Sequence, residues 1–446
     1  MVNCTSMVGG WIRVMENKIQ EVRMAHEYIR VQNAGPLSGE LTLEGAKNAV
    51  LVTMASLVLT RGKSRLTRVP ASHDVYQMKT LLEELGAEVL FDEQKHELIV
   101  DTTFLNGWSV SPDLMKRMRA SILVMGPLLA RFGKAKIALP GGCLIGTRPV
   151  DLHLKAFARM GATITTSGDF LQADVEKIRP CRFVMDYPSV GATENILMAA
   201  AGISGVTEIV NAALEPEVLD LITVLRNMGA HIDFAFPATI VVQGSLDLKP
   251  VEHEIMCDRL EAGTLLIAVA ATGGTLSLPD APVDSLELVL EKLSEMGLSI
   301  EVGPQGRGVK LTSHRPMNPV SFKTMPYPGF PTDLQAPMTA LLSLASGKGV
   351  IHETVFENRL LHVPELQKMG AQISLSGDRA TITGVERLYG ASVIATDIRA
   401  AAALVIAGLA AEGETRITGI HHLLRGYEGL DQKLRTLGAC IEIVRD

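Results

Sequence analysis

The stretch Leu81-Leu82-Glu83-Glu84-Leu85-Gly86-Ala87 ends a helical pattern on a glycine and leads into an alternating strand pattern. Variants return at Met160-Gly161-Ala162, Met228-Gly229-Ala230, Met296-Gly297-Leu298, Met369-Gly370-Ala371 and Leu437-Gly438-Ala439. The glycines lie 75, 68, 68, 73 and 68 residues apart. A glycine just past the last periodic residue is the usual helix stop, because it adopts the left-handed conformation other residues resist. One unit of about 70 residues, too long for the common solenoid repeats, is therefore used six times.

Each unit holds a second helix, rich in Ala, Leu and Met, closed by glycine before a short strand. The closures are expected at Gly62, Gly133, Gly205, Gly273-Gly274, Gly349 and Gly413. Two helices and several strands per unit give an α/β fold. At 446 residues the chain exceeds one ordinary core, which stops growing near ~250–300 residues, so three units in each of two domains is the natural division.

Composition narrows the function. With 47% hydrophobic and 20% charged residues the chain is globular, not disordered. Its formal charge is −7 and it has no Lys/Arg block, which argues against nucleic-acid or membrane-surface partners bound by bulk charge. Five scattered cysteines without a Cys-x-x-Cys suggest neither a disulfide framework nor a zinc site and fit a reducing cytoplasm. The longest apolar runs, such as Ala400 to Ala411, fall short of a membrane span. Residues 1–26 lack the apolar core of a signal peptide and read as a peripheral extension; Ile12, Met15, Ile19 and Val22 have helical spacing.

The starts of the second helices carry the chemistry. They read Gly45-Ala46-Lys47-Asn48, Met118-Arg119-Ala120-Ser121, Ser189-Val190-Gly191-Ala192-Thr193, Asp258-Arg259-Leu260-Glu261, Thr332-Asp333-Leu334-Gln335 and Thr396-Asp397-Ile398-Arg399. Ser189, Thr332, Thr396 and Asp258 are of capping types. Lys47, Arg119 and Arg399 are not explained by capping. Cations oppose the positive dipole end of a helix, so their presence predicts a negative partner nearby. Helix starts converging on one cleft would bind an anionic ligand.

The loop Pro140-Gly141-Gly142-Cys143-Leu144-Ile145-Gly146-Thr147-Arg148-Pro149 places one thiol among three glycines, with an arginine five residues on. Glycines permit a mobile lid that carries the thiol to a substrate on closing. Arg148 would favour a thiolate nucleophile, whereas proton donation needs the neutral thiol, and the residues leave that choice open.

With Gly45–Asn48, Pro140–Cys143, Arg148–His153, Phe330-Pro331-Thr332-Asp333 and Arg425-Gly426-Tyr427-Glu428 in this order, the chain resembles the enolpyruvyl transferase family, in its UDP-N-acetylglucosamine branch. The resemblance runs from about Tyr28 to the C-terminus. It implies two inside-out α/β barrel domains, 47–257 and 258–446 completed by 27–46, with the active site in the cleft between them. It also implies transfer of the enolpyruvyl group of phosphoenolpyruvate to the sugar 3′-hydroxyl of UDP-N-acetylglucosamine, the committed step of peptidoglycan synthesis, inhibited by fosfomycin.

Cys143 then corresponds to the family's general acid, which can also bond covalently to phosphoenolpyruvate. Asp333 corresponds to the carboxylate beside the sugar hydroxyl, or is an ordinary first-turn acid. Lys47, Asn48, Arg119, Arg148, Asp397, Arg399 and Arg425 would hold phosphoenolpyruvate, with Lys47 and Arg425 also in the catalytic set. Arg119, Arg148, Pro149, Val150, Asp151, Leu152, Ser189, Val190, Gly191, Asp333 and Val355 would hold the nucleotide sugar. Arg359 would support the cleft or serve a structural ion pair. Tyr187-Pro188 departs from the basic residue of some members. His352, His362, His421 and His422 lack the spacing of a paired ligand set, and neither metal nor cofactor is expected. The nearest rival, enolpyruvylshikimate phosphate synthase, is disfavoured by the cysteine loop and the Arg148–Leu152 run. A non-catalytic nucleotide-sugar-binding paralogue would be expected to lack Cys143, Asp333 or one of the arginines.

Overall fold

Helices that are apolar on every side must be buried on every side, and that rule organises the chain. In the computed structural model, Lys47–Ser56, Val190–Ala201, Arg259–Thr272, Gln335–Leu342 and Ile398–Ala410 are buried over nearly their whole lengths. The last three pack on one another, while amphipathic helices such as His73–Glu84 and Pro216–Met228 bury one side only. The structure describes residues 27–111, 119–138, 150–168 and 170–445, with residues 119–121 described by backbone alone. The extension 1–26, Cys143, Arg148, Pro149 and the Arg119 side chain lie outside the described residues.

The six repeat glycines Gly86, Gly161, Gly229, Gly297, Gly370 and Gly438 all have positive φ, between 91° and 114°. Of the second set, Gly62, Gly133, Gly205, Gly273 and Gly413 do too, but Gly349 does not. In that unit the turn is made by Gly347 at φ 140°, and Gly349 lies inside the strand Lys348–His352. A side chain at Gly349 would strike the Val320 carbonyl, so its need is space and not a left-handed turn.

Each unit contributes one sheet. Among the described residues five sheets have four strands, and in four of these a short parallel edge strand flanks three antiparallel strands of which the last in sequence lies in the middle, as in Glu252–Glu254 beside Lys63–Thr67. In the fifth, Ser392–Ile394 is the parallel edge and the N-terminal strand Glu27–Gln32 inserts antiparallel between Glu414–Thr418 and Cys440–Arg445. The sixth sheet has three strands, and a single parallel bridge, Ser109 to Lys136, stands where the edge strand would be. Among the described residues all six sheets are open, and no continuous ring of strands closes a barrel.

Burial resolves into two clusters. One takes its residues from Ala46 to Ile255, the other from Ile29 to Leu43 and from Leu260 to Ile441. The chain passes between them twice, and the two crossings pair. Gly45 bridges Cys257, the Ala46 N–H donates to the Met256 carbonyl at 2.7 Å, and the Asp258 N–H donates to the Glu44 carbonyl at 3.0 Å. Among the described residues no helix is long and apolar enough to cross a membrane.

Candidate active site

A cavity of about 680 Å³ lies between the two cores. Asn48, Val150, Leu152, Ser189, Val190 and Gly191 line it from the first core, and Asp333 and Val355 from the second. Eight residues singled out for the nucleotide sugar or its neighbour thus meet on one wall system. Ser189 caps its helix, accepting from the Ala192 N–H at 3.4 Å, and still faces the cavity. Glu353, buried beneath, accepts from Thr332 Oγ1 and from the Val355 N–H, each at 2.8 Å, and so fixes both residues on the opposite wall. Asp151 is not part of the lining; it opens the helix Asp151–Arg159 and pairs with Lys155 at 3.2 Å.

Lys47 and Arg399, the described cations of the candidate helix starts, find negative partners in the protein's own carboxylates. Lys47 Nζ donates to Asp74 Oδ2 at 3.0 Å, and Arg425 Nε reaches the other oxygen at 3.1 Å. Burial alone would raise the Asp74 pKa, but Lys47 and Arg425 outweigh it and hold the carboxyl below its ordinary value. Asp333 is gripped by Arg359 at 2.5 Å and Arg399 at 2.9 Å, one on each oxygen. Arg399 is buried, which disfavours its charge, yet Asp333, Tyr427 and Asp258 raise its pKa above that of an ordinary guanidinium. Its Nη1 also donates to the Tyr427 hydroxyl at 2.8 Å. Asp397 caps Ile398–Ala410, accepting from the N–H groups of Arg399 and Ala400. Thr332 and Thr396, of capping type, do not cap: Thr332 bonds Glu353 and Thr396 bonds the Asp397 side chain. Lys47, Asp397, Arg399 and Arg425 stand behind or beside the cavity and are not in its lining.

Arg259, a further cation at a helix start and not among the candidates from sequence, belongs to the same pattern. It makes a two-pronged pair with Glu217, at 3.0 and 3.1 Å, from the second core into the first. Glu217 and Arg259 are both buried and both line the cavity. Beside them Glu215 accepts from the Tyr327 N–H at 3.3 Å, while its other oxygen is buried without a partner among the described residues. Burial pushes the Glu215 carboxyl up. Glu194 lines the same cavity at 4% exposure, and burial, then Glu217 and Glu215, push its carboxyl well above the usual range. Sequence gave Asp74, Glu215 and Glu217 no signal beyond that of acids at or near a helix start, which are ordinary there.

The four histidines not expected to hold a metal have differing surroundings. His352 bonds Asp378 at 2.8 Å, His362 is buried with its pKa lowered by burial to about 4, and His421 and His422 lie ring to ring at 4.0 Å. Among the described residues one other trio, Glu44, His96 and Glu428, has side-chain atoms within 4.8 Å of one another. His96 Nδ1 is there also within hydrogen-bond reach, 3.1 Å, of the Val69 carbonyl.

Comparison with known proteins places this arrangement. A family model described as EPSP synthase (3-phosphoshikimate 1-carboxyvinyltransferase) matches residues 31–434. The UDP-N-acetylglucosamine 1-carboxyvinyltransferase 1 of Caldanaerobacter subterraneus subsp. tengcongensis is 46% identical over 411 residues, covering 92% of this chain and 98% of the relative. UDP-N-acetylglucosamine 1-carboxyvinyltransferase 2 of Carboxydothermus hydrogenoformans is 48% identical over 410 residues, 92% of this chain and 97% of the relative. Among solved structures, the enolpyruvyl transferase NikO from Streptomyces tendae superposes with a TM-score of 0.85 at 26% identity, covering 94% of this chain and 99% of that one. EPSP synthase from Acinetobacter baumannii shares the fold with a TM-score of 0.73 at 17% identity, covering 94% and 100%. The chain belongs to the EPSP synthase family of carboxyvinyl (enolpyruvyl) transferases.

Proposed function

We propose that this chain transfers the enolpyruvyl group of phosphoenolpyruvate to the 3′-hydroxyl of UDP-N-acetylglucosamine, releasing phosphate. The reading rests on one observation above all: residues that match the family's nucleotide-sugar motifs, though scattered from Val150 to Val355, line a single cavity between the cores. Relatives of nearly full length carry that activity in their names. The product feeds peptidoglycan synthesis, and the protein works in the cytoplasm. The two cores are two domains, 47–257 and 258–446 with 27–46, each a three-repeat inside-out α/β barrel with helices within and sheets outside.

The reaction adds and then eliminates. The sugar oxygen bonds to C2 of phosphoenolpyruvate while C3 gains a proton; phosphate then leaves C2 and C3 returns a proton, restoring the enol ether. Asp333 takes the hydroxyl proton, its orientation fixed by Arg359 and Arg399. Cys143 supplies the proton to C3. The phosphate and carboxylate are received by Lys47, Asn48, Arg119, Arg148, Asp397, Arg399 and Arg425, of which Lys47 and Arg425 are held ready by Asp74. Ser189, Val190 and Gly191, at a helix N-terminus, meet the diphosphate, and Arg148 through Leu152 the uridine.

Cys143→Ser tests the assignment, because a hydroxyl is a far weaker acid than a thiol. Calorimetry should find nucleotide-sugar binding unchanged while turnover nearly vanishes. Wild-type turnover in that variant would remove Cys143 from the proton-transfer step.

A further inference from the structure

Glu194 is a carboxyl group to which no described residue supplies a hydrogen bond. It lies in the first turns of the helix Val190–Ala201, three and four residues beyond Gly191 and Val190, a spacing that puts all three on one helix face. All three line the cavity. Glu194 is 4% exposed, and among the described residues it has neither a hydrogen-bond nor an ion-pair partner. The groups around it are spoken for. Glu217 is bound to Arg259, Glu215 accepts the Tyr327 N–H, and His153, brought to about 4 by burial, faces Asn195 at 3.0 Å. A buried polar group left unsatisfied is the costly case, and while the neighbouring buried Thr193 and Asn195 both find hydrogen-bond partners, Glu194 finds none among the described residues.

We propose that Glu194 is a further substrate-positioning residue, whose carboxyl group hydrogen-bonds the nucleotide sugar where its anionic linkage meets the start of the helix. The inference rests on the nucleotide-sugar reading of the cavity. A carboxylate one helical turn from a diphosphate would repel it, whereas a carboxylic acid donates to an acceptor-only oxygen. The surroundings favour the acid: burial and the Glu217 and Glu215 carboxylates raise the Glu194 pKa well above its ordinary value. Arg259 is the neighbouring cation and is engaged by Glu217, and Tyr187, on the same cavity, is itself raised by burial and stays neutral. Ligand affinity is therefore full while Glu194 holds its proton and falls as pH rises through its pKa.

The test is calorimetric titration of the full chain with UDP-N-acetylglucosamine at pH 7 and pH 9, for wild type, Glu194→Gln and Glu194→Ala, with melting temperatures of the ligand-free proteins. Glu194→Gln keeps a donor and should bind within a few-fold of wild type, with a shallower loss of affinity at the higher pH. Glu194→Ala should weaken binding by about tenfold, the worth of one neutral hydrogen bond, with no fall in melting temperature because the lost group had no protein partner. Unchanged affinity in Glu194→Ala would overturn the inference. So would equal weakening in both variants accompanied by a lower melting temperature, which would mark a structural role. Failure of the wild type to bind would instead overturn the nucleotide-sugar reading itself.

Discussion

Asp74 illustrates what a residue can do that its neighbours in sequence do not announce. A cation at a helix start is legible, because it opposes the dipole and needs a negative partner. Lys47 and Arg399 were marked on that ground. What sequence could not give was the partner's identity, since Asp74 and Asp333 are 27 and 66 residues away and are brought close only by the fold. Asp74, 4% exposed, sits between cations of both cores, so removing its charge leaves Lys47 and Arg425 facing each other unpaired. Asp74→Asn should cost about 3 kcal/mol, the low end for a broken buried pair because Arg425 is partly exposed. The sign of the pH dependence follows from the depressed pKa. The pair's contribution is complete above the unfolded value of about 4 and is lost as pH falls through the lower folded value. Urea unfolding of wild type and Asp74→Asn between pH 7 and pH 3 should therefore show a gap that narrows on acidification, whereas a constant gap would mean that the ion pair does not supply it.

At the scale of elements, the repeat was readable because its marker is a conformational requirement. All six glycines that follow Leu or Met in the repeat adopt positive φ. Gly229, at φ 114° and with no atom within 4 Å of an added Cβ, isolates backbone strain from crowding. Gly229→Ala should lower stability by about 1–2 kcal/mol, read from the urea midpoint at unchanged slope. A neutral result would show that this turn does not depend on glycine. Gly349 was misread because two glycines two residues apart look alike in sequence, while only Gly347 makes the turn. The parallel edge strands, such as Ser38–Glu40 and Glu252–Glu254, escaped because three residues are too few to display alternation. Asp258 and Asp397 both cap their helices, and Asp258 also helps to raise the pKa of Arg399, so a capping residue can act on a neighbouring charge as well.

At the scale of the molecule, two separate cores are joined by a paired crossing at Gly45 and Cys257 and fastened across the cleft by charge. Arg259 with Glu217, Arg425 with Asp74, and the Ala71 N–H on Glu428 at 2.8 Å each reach from one core to the other. Chain length and the repeat count lead to an expectation of two domains, and the family motifs supply the nucleotide-sugar candidates. The cross-cleft pairs have no such source, because pairing between distant acids and cations leaves no trace in local sequence. The most direct test of the account is phosphate release from phosphoenolpyruvate with UDP-N-acetylglucosamine, run beside shikimate 3-phosphate and repeated after fosfomycin treatment. Release with the nucleotide sugar alone, abolished by fosfomycin, is the predicted result; release with shikimate 3-phosphate alone, or none with either acceptor, would contradict it.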